Sequence, residues 1–267
     1  MNIRDKLRRA ARSSPLFSPL RDAYQRTFNR DYWAYRRQMK SFFSQFVHSG
    51  DLVFDIGANV GEYTQAFVAL GARVVAAEPN PQLLPMLKAI RPSGRVVVEA
   101  VAVGSAEGSG DLYLCGSDGL SSLSREWISV AGNSERFAGL VWSQRITVRL
   151  VTLDQLIRKY GSPQFIKVDV EGFEKDVLAG LTRAPAYLSF EVNSEFAEAA
   201  VACATQPCFS DDSRFNLTLG LSMKFINDEW ISREEVVRFL RSPEFTEKRT
   251  YGDIVVRRDS REPYPNS

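Results

Sequence analysis

Residues 51–80, DLVFDIGANVGEYTQAFVALGARVVAAEPN, constrain the fold more than any other segment of the chain. An apolar run leads into a glycine-rich loop, and an amphipathic stretch and a further glycine precede a second apolar run. This order predicts a strand, a helix and a parallel strand, which together form a βαβ unit of about 30 residues. Because strands and helices keep alternating along the chain, we predict an α/β fold with a mostly parallel sheet covered on both faces.

Further elements follow the same alternation. Helices are predicted in QLLPMLKAI and TLDQLIRKYG, and strands in RVVVEAVAV, GDLYLC, QRITVRLVTL, IKVDV and AYLSFEVN. The segments MKFIND and TYGDIVVRR are predicted to form a terminal strand pair, which the helix SREEVVRFLRS connects. A polar, Gly- and Ser-rich stretch at residues 116–145 is too long for a simple turn, so we expect it to contact substrate.

Composition narrows the chemistry. The 267 residues are 44% hydrophobic and 25% charged, and no run reaches the roughly 18 apolar residues of a membrane span. No secretory signal is predicted. The three cysteines, Cys115, Cys203 and Cys208, are odd in number and lack C-x-x-C spacing. We therefore expect no disulfide framework and no zinc site, a reducing compartment and a cytoplasmic protein.

Positive charge is concentrated near the N-terminus. Residues 1–40 contain eleven Lys and Arg and three Asp, which leaves twenty-three Lys and Arg against twenty-nine Asp and Glu in the rest. Such a basic arm could contact a membrane surface, an anionic polymer or a second copy of the chain. Nucleic acid is not favoured, because the arm contains no RNA-binding module.

The chain is divided into three parts on this basis. We predict a basic, aromatic helical extension at residues 1–45, a ligand-binding domain at 46–258 and a flexible tail at 259–267. Aromatic residues of the extension recur at helical spacing and are expected to pack on the domain; they are Tyr24, Phe28, Tyr32, Tyr35, Phe42 and Phe46.

The loop DIGANVG indicates a nucleoside cofactor. It lies where a strand meets its helix, and open α/β sheets bind ligands at that edge. Its spacing is D-x-G-x-x-x-G rather than G-x-G-x-x-G, and Asp55 would repel the pyrophosphate of a dinucleotide. S-adenosylmethionine carries a sulfonium and no phosphate, so an acid is favourable there. Glu78 ends the next strand twenty-three residues later, where a carboxylate can accept hydrogen bonds from both ribose hydroxyls.

The segment IKVDVEGFE carries charges in a strand that is otherwise apolar. Side chains alternate along a strand, so Lys167, Asp169 and Glu171 are predicted to share one face, opposite the apolar residues. Buried charges are costly unless they are paired or used. The alternatives are a Lys–Asp pair that orders the strand end and a catalytic group. Glu174 and Asp176 follow in a helix, where they would complement its N-terminus.

Several motifs together resemble one family. DLVFDIGANVGEYT, AAEPNP, EAVAVGSAEG, SSL, VRLVTLDQL, FIKVDVEGFEKDVLAG and LSFEVN occur in the order found in FkbM-type methyltransferases. The resemblance covers residues 50 to about 193, and more loosely the chain to about 257. It implies a Rossmann-like class I fold whose seven-stranded sheet ends in a reversed hairpin. It also implies S-adenosylmethionine as cofactor and O-methylation of a hydroxyl on a sugar, glycan or natural product.

The resemblance assigns candidate residues. The charged strand would be the fourth of the sheet, beside the first, so that Asp169 or Glu171 handles the hydroxyl proton while Lys167 keeps one of them ionised. The candidate substrate residues are Ser121, Ser122, Glu191 and Asn193. The candidate cofactor residues are Asp55, Gly57, Ala58, Asn59, Gly61, Glu78, Pro79, Ala100, Val101 and Asp169.

Other interpretations stay open. Magnesium held by carboxylates is compatible with the sequence, whereas a transition metal is not expected from one histidine and dispersed cysteines. The alternative functions are a dinucleotide oxidoreductase, which the loop spacing disfavours, and a non-catalytic binding protein on the same fold. Methylation of nucleic acid through the basic arm is a minority interpretation.

Overall fold

A computed structural model describes residues 30–90, 92, 94–115, 120–133, 140–247 and 250–259. Its main feature is a seven-stranded sheet in the order β3-β2-β1-β7-β8-β10-β9. The strands are β1 (Leu52–Ile56), β2 (Arg73–Ala77), β3 (Val96–Glu99), β7 (Phe165–Val168), β8 (Tyr187–Asn193), β9 (Ser213–Leu219) and β10 (Tyr251–Arg258). Only β10 runs antiparallel to its neighbours. The predicted class I sheet with a reversed terminal hairpin is therefore confirmed.

A second, three-stranded sheet stands apart from the first. It consists of β4 (Ala102–Val103), β5 (Gly108–Leu114) and β6 (Gln144–Val151) in the order β4-β6-β5. GDLYLC and QRITVRLVTL do form strands, as predicted, and they pair with each other in an antiparallel ladder rather than joining the large sheet.

Helices cover both faces of the large sheet. They are α1 (Arg30–Phe43), α2 (Glu62–Ala69), α3 (Leu84–Lys88), α4 (Arg125–Ala131), α5 (Leu153–Tyr160), α6 (Glu174–Ala179), α7 (Ala197–Ala204), α8 (Arg233–Leu240) and α9 (Pro243–Thr246). Neighbouring residues of β1 enter different cores, because Phe54 and Ile56 pack on one face and Val53 on the other. Within the described residues, no helix is long and apolar enough to span a membrane.

Two strand predictions differ from the structure. RVVVEAVAV was predicted as one strand, but Val96–Glu99 belongs to the large sheet and Ala102–Val103 to the small one. Residues 223–228, MKFIND, form no strand, and the partner of β10 is the earlier segment Ser213–Leu219. The sequence of β9 is interrupted by Asn216 and Thr218, which hid its apolar character. Both are buried, and the Asn216 amide donates to the Asn227 carbonyl at 2.9 Å. This hydrogen bond allows a polar side chain inside the sheet.

Helix α1 packs into the core of the domain. Met39, Phe42 and Phe43 are buried, and Phe43 makes edge contacts with Phe67 of α2 and Phe165 of β7. The prediction that Phe42 and Phe46 pack on the domain is confirmed. The first part of the basic arm, with Tyr24 and Phe28, lies outside the described residues, as do 116–119, 134–139 and most of the tail. The boundary at residue 45 stays a prediction.

Candidate active site

A cleft of about 210 Å³ opens at the carboxyl ends of β1, β2 and β7, beside the small sheet. Nine predicted site residues line it: Gly57, Ala58, Asn59, Glu78, Pro79, Val101, Ser121, Asp169 and Glu171. Apolar side chains from the small sheet and its surroundings complete the wall. These residues, Ala102, Val103, Leu112, Leu123 and Phe173, carried no sequence signal, because distant segments bring them together.

The glycine loop is shaped by close packing against neighbouring parts of the chain. Gly57 has φ +80°, and a Cβ there would overlap the carbonyl oxygen of Asp169. Gly61 has φ +84° at the start of α2, where a Cβ would collide with Ile90 and Leu87 instead of facing the cleft. Only glycine adopts this conformation without strain. The loop therefore crosses the end of β7 at backbone distance, which brings Asp169 to the cleft.

Glu78 holds the loop and faces the cleft. Its Oε2 accepts from the Asn59 amide and its Oε1 from the Asn80 amide, both at 2.8 Å. The side chain is 6% exposed, and burial raises the pKa of Glu78 to about 7. Each carboxylate oxygen has a second lone pair. The acid can therefore order the loop and still accept from two ribose hydroxyls.

Asp55 lies beneath the cleft and does not line it. The Thr64 hydroxyl donates to its Oδ2, while Oδ1 is buried without a partner among the described residues. Burial raises the pKa of Asp55 to about 6. A buried carboxylate that is half satisfied adds negative potential under the loop. The cradle at Gly57, the acceptor at Glu78 and this potential together fit S-adenosylmethionine, which is cationic and lacks phosphate.

The charges of IKVDVEGFE belong to a polar row across one face of the sheet. Strand register places Lys167 of β7 opposite Asp55 of β1 and Ser189 of β8, while Glu191 of β8 lies opposite Asp253 of β10. The same face is apolar further along, at Val53 and Phe165 toward the amino ends of β1 and β7, and at Val255 toward the carboxyl end of the antiparallel β10. One face of the sheet therefore contributes to the hydrophobic core at one end of these strands and to the candidate active site at the other.

Lys167 is the cation of this row. It is fully buried, and its Nζ lies 2.8 Å from Asp253 Oδ1 and 3.2 Å from Asp169 Oδ2. The Tyr63 ring lies 4.8 Å from the same nitrogen. Burial alone lowers the pKa of Lys167, but Asp169 and Asp253 outweigh it and raise the pKa above its usual value. Lys167 therefore stays charged and does not line the cleft. Its partner Asp253 was missed, since β10 is 86 residues away in sequence.

Glu171 reaches the cleft by a turn and not by strand alternation. β7 ends at Val168, and Glu171 and Gly172 have φ +54° and +87°. The prediction that all three charges alternate on one strand is wrong for Glu171. The Ser122 hydroxyl donates to the Glu171 carbonyl at 2.6 Å. The buried Glu174 carboxylate accepts from the Val170 amide at 3.0 Å, and burial raises its pKa to about 7.

This turn brings three carboxyl groups together. One oxygen each of Asp169, Glu171 and Glu191 lies within 4.8 Å of the others. Burial, and then the charges of Glu171 and Asp169, raise the pKa of Glu191 well above its usual value. Carboxylates at this spacing are able to share a proton or a hard cation such as Mg²⁺. The group contains no histidine or cysteine.

The remaining predicted residues lie elsewhere. Ala100 is exposed, and Ser122 is fully buried with its hydroxyl bonded to backbone. Asn193 and Glu191 line a neighbouring cleft with Trp127 and Phe196. Ser121 is therefore the only one of the four candidate substrate residues that lines the main cleft.

Comparison with known proteins points to one family. A protein-family model, described as the methyltransferase FkbM domain, matches residues 55–207 of this chain. The hexuronic acid methyltransferase AglP of Haloferax volcanii is 28% identical over 144 residues, which are 53% of this chain and 54% of that protein. The chain therefore spans about half the length of this curated relative.

Methyltransferases are also among the solved structures that match the chain at lower sequence identity. The precorrin-6y C5,15-methyltransferase of Geobacter metallireducens is 12% identical, with a TM-score of 0.40 over 83% of this chain and 87% of the other. A TehB-like SAM-dependent methyltransferase of Corynebacterium glutamicum is also 12% identical, with a TM-score of 0.41 over 89% and 100%.

Proposed function

Because the chain belongs to the FkbM methyltransferase family, we propose that it catalyses O-methylation of a hydroxyl group on a sugar, glycan or natural product. The observation that supports the reaction is the placement of Asp169 and Glu171 at the cofactor cleft, beside the anchored cation Lys167. A relative named for methylation of a hexuronic acid supports a sugar-like acceptor.

The cofactor is S-adenosylmethionine, which when bound supplies an electrophilic methyl group. Glu78 would accept from the ribose hydroxyls, and the loop from Gly57 to Gly61 would lie against the cofactor with its backbone. Asp55 would balance positive charge from below the loop. Glu174 holds the turn that carries Glu171, through the Val170 amide at 3.0 Å and the Gly172 amide at 3.3 Å.

Asp169 is our candidate for the general base. Its side chain is 26% exposed, so it can contact an acceptor, and Lys167 fixes its position from the buried side. A sugar hydroxyl is a poor acid, so its proton must leave as the oxygen attacks, and a carboxylate within hydrogen-bond reach can take it. Glu171, which has a carboxyl oxygen within 4.8 Å of one of Asp169, would orient the acceptor.

Two measurements test the proposal. Titration calorimetry with S-adenosylhomocysteine and with NAD should detect binding of the first alone, and binding of NAD alone would refute it. Transfer of a labelled methyl group to a panel of glycosides and phenols then tests the reaction. Asp169→Asn should lower turnover by about 10²–10⁴-fold without changing S-adenosylhomocysteine affinity, and Glu171→Gln by less. Wild-type turnover in both variants would show that these carboxylates are structural.

A further inference from the structure

A further cleft, of about 40 Å³, adjoins the main cleft on the α1 side of the sheet. It is lined by side chains from α1, α2 and the sheet, among them Tyr35, Tyr63, Asp169, Glu191, Thr218 and Asp253. Two of these residues, Tyr63 and Asp169, also line the cofactor cleft. The two clefts therefore meet at the candidate base, where an acceptor hydroxyl has to lie.

The lining of this side cleft is rich in hydroxyl and carboxyl groups. Tyr35 and Tyr63 both contribute phenols to the lining, and burial raises the pKa of Tyr35 to about 12, so that its hydroxyl stays protonated and able to donate. Thr218 lies opposite Asp253 in strand register. Such groups exchange hydrogen bonds with a polyhydroxylated molecule, and a hydroxyl that donates to a carboxylate makes a strong hydrogen bond.

The charge of the side cleft is negative. Asp169 and Asp253 contribute two carboxylates against the cation Lys167, which is fully buried behind them, and Glu191, whose pKa is raised well above its usual value, contributes a carboxyl group that binds a proton more readily. An acceptor that carries its own carboxylate would meet like charges at short distance in a partly dry site. Selectivity of this kind arises from repulsion of the wrong ligand as much as from attraction of the right one.

We propose that this side cleft is the acceptor subsite, and that it selects an uncharged, hydroxyl-bearing acceptor over an anionic one. Helix α1 then contributes to the site directly through Tyr35, so it belongs to the binding machinery as well as to the core. This inference rests on the proposed function, and it gives this chain an acceptor of a different charge class from the hexuronic acid in the relative's name.

The experiment compares two probes that differ only at C6, which is a hydroxymethyl group in one and a carboxylate in the other. Methyl α-D-glucopyranoside and methyl α-D-glucopyranosiduronate share their 2-, 3- and 4-hydroxyls. Saturation-transfer NMR at pH 8, with protein saturated with S-adenosylhomocysteine, should show binding of the uncharged glycoside. The uronate should bind at least about tenfold more weakly, because a like charge at about 4 Å exceeds the energy of a factor of ten once water is partly excluded.

Substitutions test whether the uncharged glycoside binds in the side cleft. Tyr35→Phe should reduce binding of the uncharged glycoside severalfold, whereas Tyr160→Phe, which removes a phenol bonded to Glu99 outside both clefts, should not. S-adenosylhomocysteine affinity, measured by calorimetry, should be unchanged in the tyrosine variants.

Several outcomes would overturn the inference. They are equal or tighter binding of the uronate, undiminished glycoside binding in Tyr35→Phe, and no binding of the uncharged glycoside at tens of millimolar. If S-adenosylhomocysteine itself failed to bind, the proposed function would be refuted. The same probe comparison on the ligand-free protein would still decide whether the side cleft selects uncharged glycosides.

Discussion

Replacing Asp55 by Asn should change how stability depends on pH. Asp55 is 1% exposed, and burial raises its pKa from 3.8 to about 6. A carboxyl group with a higher pKa in the folded chain binds more protons when folded. Its ionisation therefore destabilises the fold progressively as the pH rises from below 3.8 to above 6.

The size of the effect follows from the shift. At about 1.4 kcal/mol per pH unit, the full cost of ionising Asp55 is about 3 kcal/mol, and about 1.4 kcal/mol of it falls between pH 5 and pH 8. Asn removes this dependence and can still accept from the Thr64 hydroxyl. Its amide adds a donor whose cost does not vary with pH. Comparing the free energy of unfolding at two pH values therefore isolates the effect of ionising Asp55.

The assay is urea denaturation of wild type and Asp55→Asn at pH 5 and pH 8. Between these values the free energy of unfolding of the wild type should fall by about 1.4 kcal/mol more than that of the variant. Asp111→Asn is the matched control, because it removes a partly exposed ion pair with Arg145 far from the core. An equal pH dependence of wild type and Asp55→Asn would refute the assignment of a buried, costly carboxylate.

Asp55→Asn also tests whether the charge of Asp55 affects cofactor binding. S-adenosylmethionine carries a positive sulfonium, whereas the sulfur of S-adenosylhomocysteine is neutral. If Asp55 supplies negative potential beneath the loop, Asp55→Asn should weaken binding of the first more than binding of the second. Calorimetric titration at pH 8 measures both affinities. Equal losses would mean that Asp55 acts only through loop structure.

Three further predictions concern the loop and the turn. Burial raises the pKa of Glu78 to about 7, so the affinity of the wild type for S-adenosylhomocysteine should fall from pH 8 to pH 6. In Glu78→Gln, calorimetry should find an affinity that is weaker and does not depend on pH. Gly57→Ala should abolish ligand binding and lower thermal stability more than Gly50→Ala does. Gly50 also has a positive φ, +94°, but a Cβ there would meet open space, so equal losses of stability would contradict the packing argument. Glu174→Gln should cost about 1 kcal/mol in urea denaturation and speed hydrogen exchange at the turn amides, and unchanged exchange would count against a bracing role.

Local sequence carried enough information to predict the fold class. The alternation of apolar strands and amphipathic helices defines a parallel sheet, because each strand must bury both faces and each helix one. The position of Glu78 could also be predicted, since a strand of known start and length ends at a known residue. The strand pair Ser213–Leu219 and Tyr251–Arg258 was half missed, because Asn216 is buried with hydrogen bonds that no local pattern reveals.

The candidate site could be predicted only in part. The sequence by itself determined that Gly57, Glu78 and Asp169 come at the carboxyl ends of strands, which meet at one edge of a parallel sheet. It could not determine that Asp253 holds Lys167 or that Tyr35 faces the same row of charges. Those contacts depend on the register of an antiparallel strand and the docking of a helix. Both are set by the packing of the whole core, which only the tertiary structure decides.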